Sequence, residues 1–97
     1  MAMLEKLTPQ NLEAEQSLLG ALLLDKDAII RVGDIIAKED FYADKHRMTF
    51  EAMIELFRKQ EPIDLLSLSN RLQERGDLER IGGRAYLIQL SNTVPTA

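Results

Sequence analysis

The stretch PQNLEAEQSLLGALLLD, residues 9–25, decides the fold of this 97-residue chain. Its leucines recur at the three- and four-residue spacing of an amphipathic helix. Glu13 and Glu15 lie in its first turn, where carboxylates favour the positive end of the helix dipole. Thr8 before the proline, or Asn11 one turn later, can cap its N-terminus. The stretch therefore predicts a first helix that the rest of the chain covers.

The two sides of this helix predict different roles. Glu15 falls inside the apolar arc, where a carboxylate is costly unless it accepts hydrogen bonds. We therefore expect Glu15 to be a structural residue, bonded to backbone amides or to a basic or hydroxyl side chain. Glu13 falls on the opposite side, which is either a solvated face or a contact for a partner. The arc consists of Ala21, Leu18, Leu22, Leu19 and Leu23, and the opposite side of Glu13, Gln16, Ser17 and Gly20.

Apolar spacing predicts two further helices in the middle of the chain. The second spans about residues 27–36 and is weakened by Gly33. The third, residues 45–59, has the clearest pattern, with apolar residues at i, i+3, i+4 and i+7. We expect it to be the central helix, with Asp44 as its cap. Its predicted core residues are Phe50, Met53, Ile54 and Phe57.

The C-terminal third predicts two helices joined by a short turn over residues 77–81. Asp64 can cap the fourth helix, and Gly76 can supply a left-handed cap at its end. The last helix spans about residues 84–93, and Ile88 points away from its apolar face, which makes it a candidate for an external contact. The predicted buried residues of the two helices are Leu65, Leu68 and Leu72, then Leu87, Leu90 and Val94.

Helical spacing of apolar residues thus recurs along the chain, and no segment shows the alternation of apolar and polar residues that is typical of a half-buried strand. The predicted fold class is all-α, a compact bundle of about five to six short helices. A formal net charge of −4 argues against a domain that binds nucleic-acid phosphates directly. The lack of cysteine and of a signal or membrane-spanning segment suggests a cytoplasmic protein without membrane contact.

The sequence offers little for catalysis or for cofactors. None of the five glycines is followed by lysine, so a phosphate-binding loop of the GxxxxGK[ST] type is excluded. The single histidine, His46, is expected at the edge of the core, hydrogen-bonded, and leaves no histidine cluster for a metal. Glu39 and Asp40 are interpreted as a solvated helix end. We predict a domain that is not an enzyme, with no catalytic, cofactor-binding or metal-binding residues.

Four segments in order resemble a known family, the N-terminal domain of bacterial replicative DNA helicases of the DnaB type. They are PQNLEAEQSLLGALLLD (9–25), EDFYADKH (39–46), EPIDLLSLSNRLQERGDLERIGG (61–83) and AYLIQLSNTVPTA (85–97). The resemblance implies a helical head without the hairpin that follows it in the family. It implies residues 1–8 as an N-terminal tail and residues 9–97 as the domain, truncated at its C-terminus.

The same resemblance implies the function and the partners. In the family this domain helps to organise the collar of a hexamer and docks primase, with other helicase subunits and a loader as further partners. ATP and Mg would belong to the missing motor domain, and DNA would be contacted only there. Glu13 and Tyr86 are the positions implied for primase contact, although Tyr86 can also be an aromatic residue at the core edge. The partner-binding set predicted in full is Glu13, Gln16, Ser17, Tyr86 and Ile88.

Two alternatives remain open from the sequence. The helicase-binding domain of a primase is expected to share the fold, but the EAEQ opening and the VPTA ending favour the helicase. A small autonomous DNA-binding domain would need a basic recognition helix. The fourth helix carries only Arg71 and Arg75 among neutral residues.

Overall fold

A computed structural model describes residues 11–25 and 27–93, and this part of the chain is helical without a strand. The all-α prediction is confirmed. The elements in chain order are α1 (Leu12–Leu24), α2 (Ala28–Val32), a 3-10 helix (Lys38–Asp40), α3 (Asp44–Arg58), α4 (Leu65–Glu74), α5 (Leu78–Ile81) and α6 (Gly83–Ser91).

Asn11 caps α1, because its side-chain oxygen accepts a hydrogen bond from the Ala14 amide at 3.0 Å. The alternative cap at Thr8 lies outside the described residues. α1 contacts α2, α3 and α6, so it is covered on more than one side. Gly20, expected on the polar side, is for that reason buried, while Leu19 and Leu22 are fully buried as predicted.

The second helix is shorter than predicted, because α2 ends at Val32 and the chain continues as a turn. Gly33 is its C-cap, and a Cβ there would lie 2.8 Å from the Ile29 carbonyl oxygen. Ile29 and Ile36 still reach the core, the second from the segment beyond the helix.

α3 is the central helix, and it contacts α1, the 3-10 helix, α4 and α5. Its buried surface includes Phe50 and Met53 as predicted, but Ile54 is only partly buried and Phe57 is 40% exposed. Phe57 lies in the last turn, where Leu56 is the buried residue instead. Asp44 is the first helical residue rather than the cap, which is Ala43.

α4 begins and ends as predicted. Asp64 accepts a hydrogen bond from the Ser67 amide at 2.8 Å, and Gly76 has a φ of 77°. Leu68 and Leu72 are fully buried, but Leu65, the first helical residue, is exposed.

The turn predicted over residues 77–81 contains the single helical turn α5, and α6 follows after Gly82. Leu87 and Leu90 of α6 are fully buried as predicted, together with Tyr86, while Val94 lies outside the described residues. α6 contacts α1, α4 and α5, so the last helix closes the bundle against the first.

Candidate functional site

The main polar feature of the interior is a carboxylate on α1. Glu15 is 0% exposed, and its Oε2 accepts a hydrogen bond from the Tyr42 amide at 2.6 Å. Its Oε1 lies 2.6 Å from His46 Nδ1 and 3.5 Å from the Ala43 amide nitrogen. The expectation that Glu15 is buried and bonded to backbone amides is therefore confirmed. The carboxylate fastens α1 to the connector before α3 and to α3 itself.

His46 extends this contact to α6. Its ring is 0% exposed, and Nε2 lies 2.5 Å from the Tyr86 hydroxyl oxygen. A neutral imidazole satisfies both partners, with Nδ1–H donating to Glu15 and Nε2 accepting from the tyrosine hydroxyl. Burial lowers the pKa of His46 below its usual 6.5, against the opposing effect of Glu15. His46 is thus hydrogen-bonded, as predicted, but it lies fully inside the core rather than at its edge.

Tyr86 closes the cluster formed by Glu15, His46 and Tyr86, which we call the buried triad. The residue is 7% exposed, and its hydroxyl accepts a hydrogen bond from Gln16 Nε2 at 3.4 Å. Burial raises its pKa above the usual 10.0. Tyr86 therefore lies at the edge of the core, which was one of its two interpretations. Little of its ring is exposed for contact with a partner.

The buried triad orders three helices, but it has no open approach for a substrate. His46 is fully covered, and the carboxylate oxygens of Glu15 already accept hydrogen bonds from the fold. Its chemical effect is to hold α1, α3 and α6 in one arrangement, since breaking any contact leaves a buried polar group unsatisfied.

The predicted partner-binding residues divide into two groups. Glu13 is exposed and Gln16 and Ser17 are half-buried, and all three lie on the same side of α1. Gln16 contacts Tyr86, so this side of α1 adjoins the buried triad. Lys45 of α3 also reaches the area, with Nζ 4.3 Å from the centroid of the Tyr86 ring. We call Glu13, Gln16 and Ser17 the α1 face.

Ile88 belongs to a different surface. It is 50% exposed and lines a groove of about 240 Å³ between α4 and α6. Sequence reasoning proposed Ile88 but missed the rest of this groove. The signal was Leu66, a large apolar side chain next to Leu65 that the predicted buried set of Leu65, Leu68 and Leu72 left out, because neighbouring residues of a helix point about 100° apart. The groove is lined by Leu65, Leu66, Ser69, Arg84, Leu87 and Ile88.

The described residues do not contain a group of three or more His, Cys, Asp or Glu side chains placed to hold a metal. Within that same part of the chain, none of the helices is long and apolar enough to cross a membrane.

The geometry defines an all-helical domain with a polar core contact and two solvent-facing surfaces, and comparisons with known proteins identify its family. A family model described as the DnaB-like helicase N-terminal domain matches residues 7–97. The replicative DNA helicase DnaB of Geobacillus stearothermophilus is 42% identical over 93 residues, which are 96% of this chain and 20% of that protein. The replicative DNA helicase DnaB of Mycobacterium leprae is 46% identical over 89 residues, 92% of this chain and 15% of that protein.

A solved structure agrees with the sequence relatives. The crystal structure of the N-terminal domain of DnaB helicase from Mycobacterium tuberculosis superposes with a TM-score of 0.87 at 45% identity. The match covers 91% of this chain and 61% of that one. The chain belongs to the family of DnaB-like helicase N-terminal domains. It spans about a fifth or less of the length of the helicases it matches.

Proposed function

We propose that this domain is a non-catalytic interaction and assembly domain of a replicative DNA helicase, which helps to organise the hexamer collar and docks primase. The observation that carries the proposal is the buried triad, because it holds α1 against α3 and α6 and leaves Glu13 exposed on the adjoining α1 face. A surface fixed in this way loses little conformational freedom when a partner binds.

The proposal assigns the residues different tasks. Glu13, Gln16 and Ser17 are proposed to contact primase directly. Tyr86 is proposed to act mainly as a positioning residue, since its hydroxyl is bonded to His46 and Gln16 and its ring is largely covered. Ile88 lies outside the α1 face, and a partner at that residue would contact the other surface.

The remaining assignments follow from the family. The proposed partners besides primase are other copies of the helicase subunit and a helicase loader. ATP and Mg are assigned to the motor domain of the full helicase, and DNA is contacted through that domain. A replicative helicase acts on the chromosome, so the proposed location is the cytoplasm. The family match favours the helicase over the two alternatives, a primase domain and an autonomous DNA-binding domain.

Titration with the helicase-binding domain of primase tests the proposal. We expect Glu13→Ala combined with Gln16→Ala to weaken the complex about tenfold or more, equal to about 1.4 kcal/mol, as for a central interface contact. Calorimetric titration measures the change, with the thermal melting of each variant recorded alongside. Glu39→Ala is the matched control, because Glu39 is an exposed carboxylate on the 3-10 helix. Unchanged primase affinity in the double variant would refute the α1 face as the docking site.

A further inference from the structure

The groove between α4 and α6 is an apolar recess with exposed walls. Leu66 is 68% exposed on the α4 side, and Ile88 forms the wall on the α6 side. Fully buried Leu87 forms its floor. Large apolar side chains exposed next to one another in a recess are typical of an interaction site.

The spacing of the lining residues fits a helical ligand. Residues 65, 66 and 69 span one turn of α4, and residues 84, 87 and 88 span one turn of α6. The two helices pack side by side, and a third helix can place its side chains into the furrow between them. Binding of a peptide by β-strand addition would need a free sheet edge, and the described residues contain no strand.

Arg84 gives the groove a charge that its surroundings do not neutralise. Its Nε donates a hydrogen bond to Ser69 Oγ at 3.2 Å, which holds the side chain at the groove. Among the described residues, Arg84 has no carboxylate within 4.0 Å, a property that it shares with Arg58. The other described arginines all have such a partner, and they are Arg31, Arg47, Arg71, Arg75 and Arg80. Although the chain has a net charge of −4, the Arg84 guanidinium can therefore pair with a carboxylate of another molecule.

We propose that this groove docks an amphipathic helix of a separate protein. The helix inserts an aliphatic side chain between Leu66 and Ile88 and presents Asp or Glu, four positions away, to the Arg84 guanidinium. The spacing follows from α6, where Arg84 and Ile88 are four residues and about 6 Å apart along the axis. This surface and its partner are distinct from the α1 face and from primase docking there.

Selection from a library of randomised helical peptides displayed on phage, with the 97-residue chain as the target, tests the proposal. The enriched peptides are expected to carry an aliphatic residue followed or preceded at four positions by Asp or Glu. The best peptide is then synthesised with a fluorophore, and its affinity is measured by anisotropy. An enriched set without that pairing, or a selection that yields no binder, would overturn the proposal.

Variants of the chain locate the peptide. Leu66→Ser is expected to weaken binding about tenfold, as for the loss of a buried leucine contact. Arg84→Gln is expected to weaken it about threefold or more and to remove most of its dependence on salt. Ile30→Ser is the control, because Ile30 is exposed on α2 outside the groove, and Glu13→Ala tests the α1 face. Both variants should bind the peptide with the affinity of the wild type. Weaker peptide binding by Glu13→Ala, or unchanged binding by Leu66→Ser, would refute the groove as the binding site.

A second copy of this chain is the competing occupant. Sedimentation velocity distinguishes it, since we expect a monomer at the concentrations used for peptide binding. A dimer that Leu66→Ser dissociates would overturn the proposal in favour of self-association. Leu66 is mostly exposed, so the serine variant is expected to keep the melting temperature of the wild type within a few degrees.

Discussion

At the scale of single residues, Glu13 and Glu15 illustrate how two carboxylates in one helical turn acquire unrelated roles. Glu15 faces the core and satisfies a backbone amide and His46, whereas Glu13 faces solvent. The difference arises from the helical period alone, since residues two apart point in different directions. It leads to opposite expectations for stability and for binding.

We expect Glu15→Ala to lower the free energy of unfolding by about 1 to 3 kcal/mol, because the Tyr42 amide and His46 Nδ1 lose their buried acceptor. Glu13→Ala should cost less than about 1 kcal/mol, the contribution of a carboxylate at a helix N-terminus. Urea denaturation of both variants provides the measurement. Equal stability of wild type and Glu15→Ala would contradict the assigned hydrogen bonds.

His46 predicts how stability depends on pH. Its pKa is lowered in the folded state, so below its usual pKa of 6.5 the unfolded chain binds more protons than the folded one. Stability from this group is therefore complete above about pH 7 and falls as the pH decreases through 6.5. The slope for one proton cannot exceed about 1.4 kcal/mol per pH unit.

Urea denaturation at pH 7.5, 6.5 and 5.5 measures this effect. His46 is the only histidine of the chain, and the carboxylates ordinarily titrate at lower pH, so the window isolates one group. In His46→Gln the dependence between pH 5.5 and 7 should disappear, whatever the stability of the variant. A slope of the same size in that variant would assign the effect to another group.

At the scale of elements, periodicity identified most helices, but it could not place every face. For α3 it selected the apolar residues Phe50, Met53, Ile54 and Phe57, yet Thr49 is fully buried and Phe57 is exposed. A polar side chain can replace an apolar one in the core when its partners are present, and the Thr49 hydroxyl donates to the Lys45 carbonyl at 2.7 Å.

The candidate site was predictable only in part, for a related reason. The burial of Glu15 followed from its position on one helix, which is local information. Its partners did not, because His46 is 31 residues away along the chain and Tyr86 a further 40. Helical spacing carries no information over such separations, so the buried triad required the packing of α1, α3 and α6.

The turn before α6 supports a prediction at this scale. Gly82 has a φ of 112°, and a Cβ there would lie 3.1 Å from Tyr86 Cβ, whereas Gly76 has a φ of 77° and an open environment. We expect Gly76→Ala to cost about 1 kcal/mol and Gly82→Ala about 2 kcal/mol, since the second adds crowding at Tyr86 to backbone strain. Thermal unfolding measures the loss of stability in both variants. An equal loss would mean that the close contact between the new Cβ and Tyr86 does not destabilise the fold.

At the scale of the whole molecule, charge and ion pairing argue against direct DNA binding. The chain carries −4, and Arg75 on its own is engaged by three carboxylates, those of Glu51, Glu55 and Asp77. Within residues 11–25 and 27–93, six of the ten Lys and Arg side chains pair with carboxylates. These six are less available to neutralise phosphates, which supplies most of the affinity of a nucleic-acid-binding surface.

We therefore expect no saturable binding of single- or double-stranded DNA to the 97-residue chain at micromolar concentration and about 0.15 M salt. Fluorescence anisotropy of labelled oligonucleotides checks this, with primase binding by the same preparation as the positive control. Tight, salt-sensitive DNA binding would refute the proposal that DNA is contacted through the motor domain and not through this domain.

The hydrogen bond from the Tyr42 amide to Glu15 has a consequence for hydrogen exchange. Tyr42 lies in the irregular connector between the 3-10 helix and α3, where amides normally exchange with deuterium quickly. Its acceptor is a fully buried carboxylate on α1 that also contacts His46 of α3, so we expect this amide to be released only when α1 separates from the connector and from α3. Its protection should therefore match that of the slowest amides of the central helix, and an irregular segment becomes part of the last cooperative unit to open.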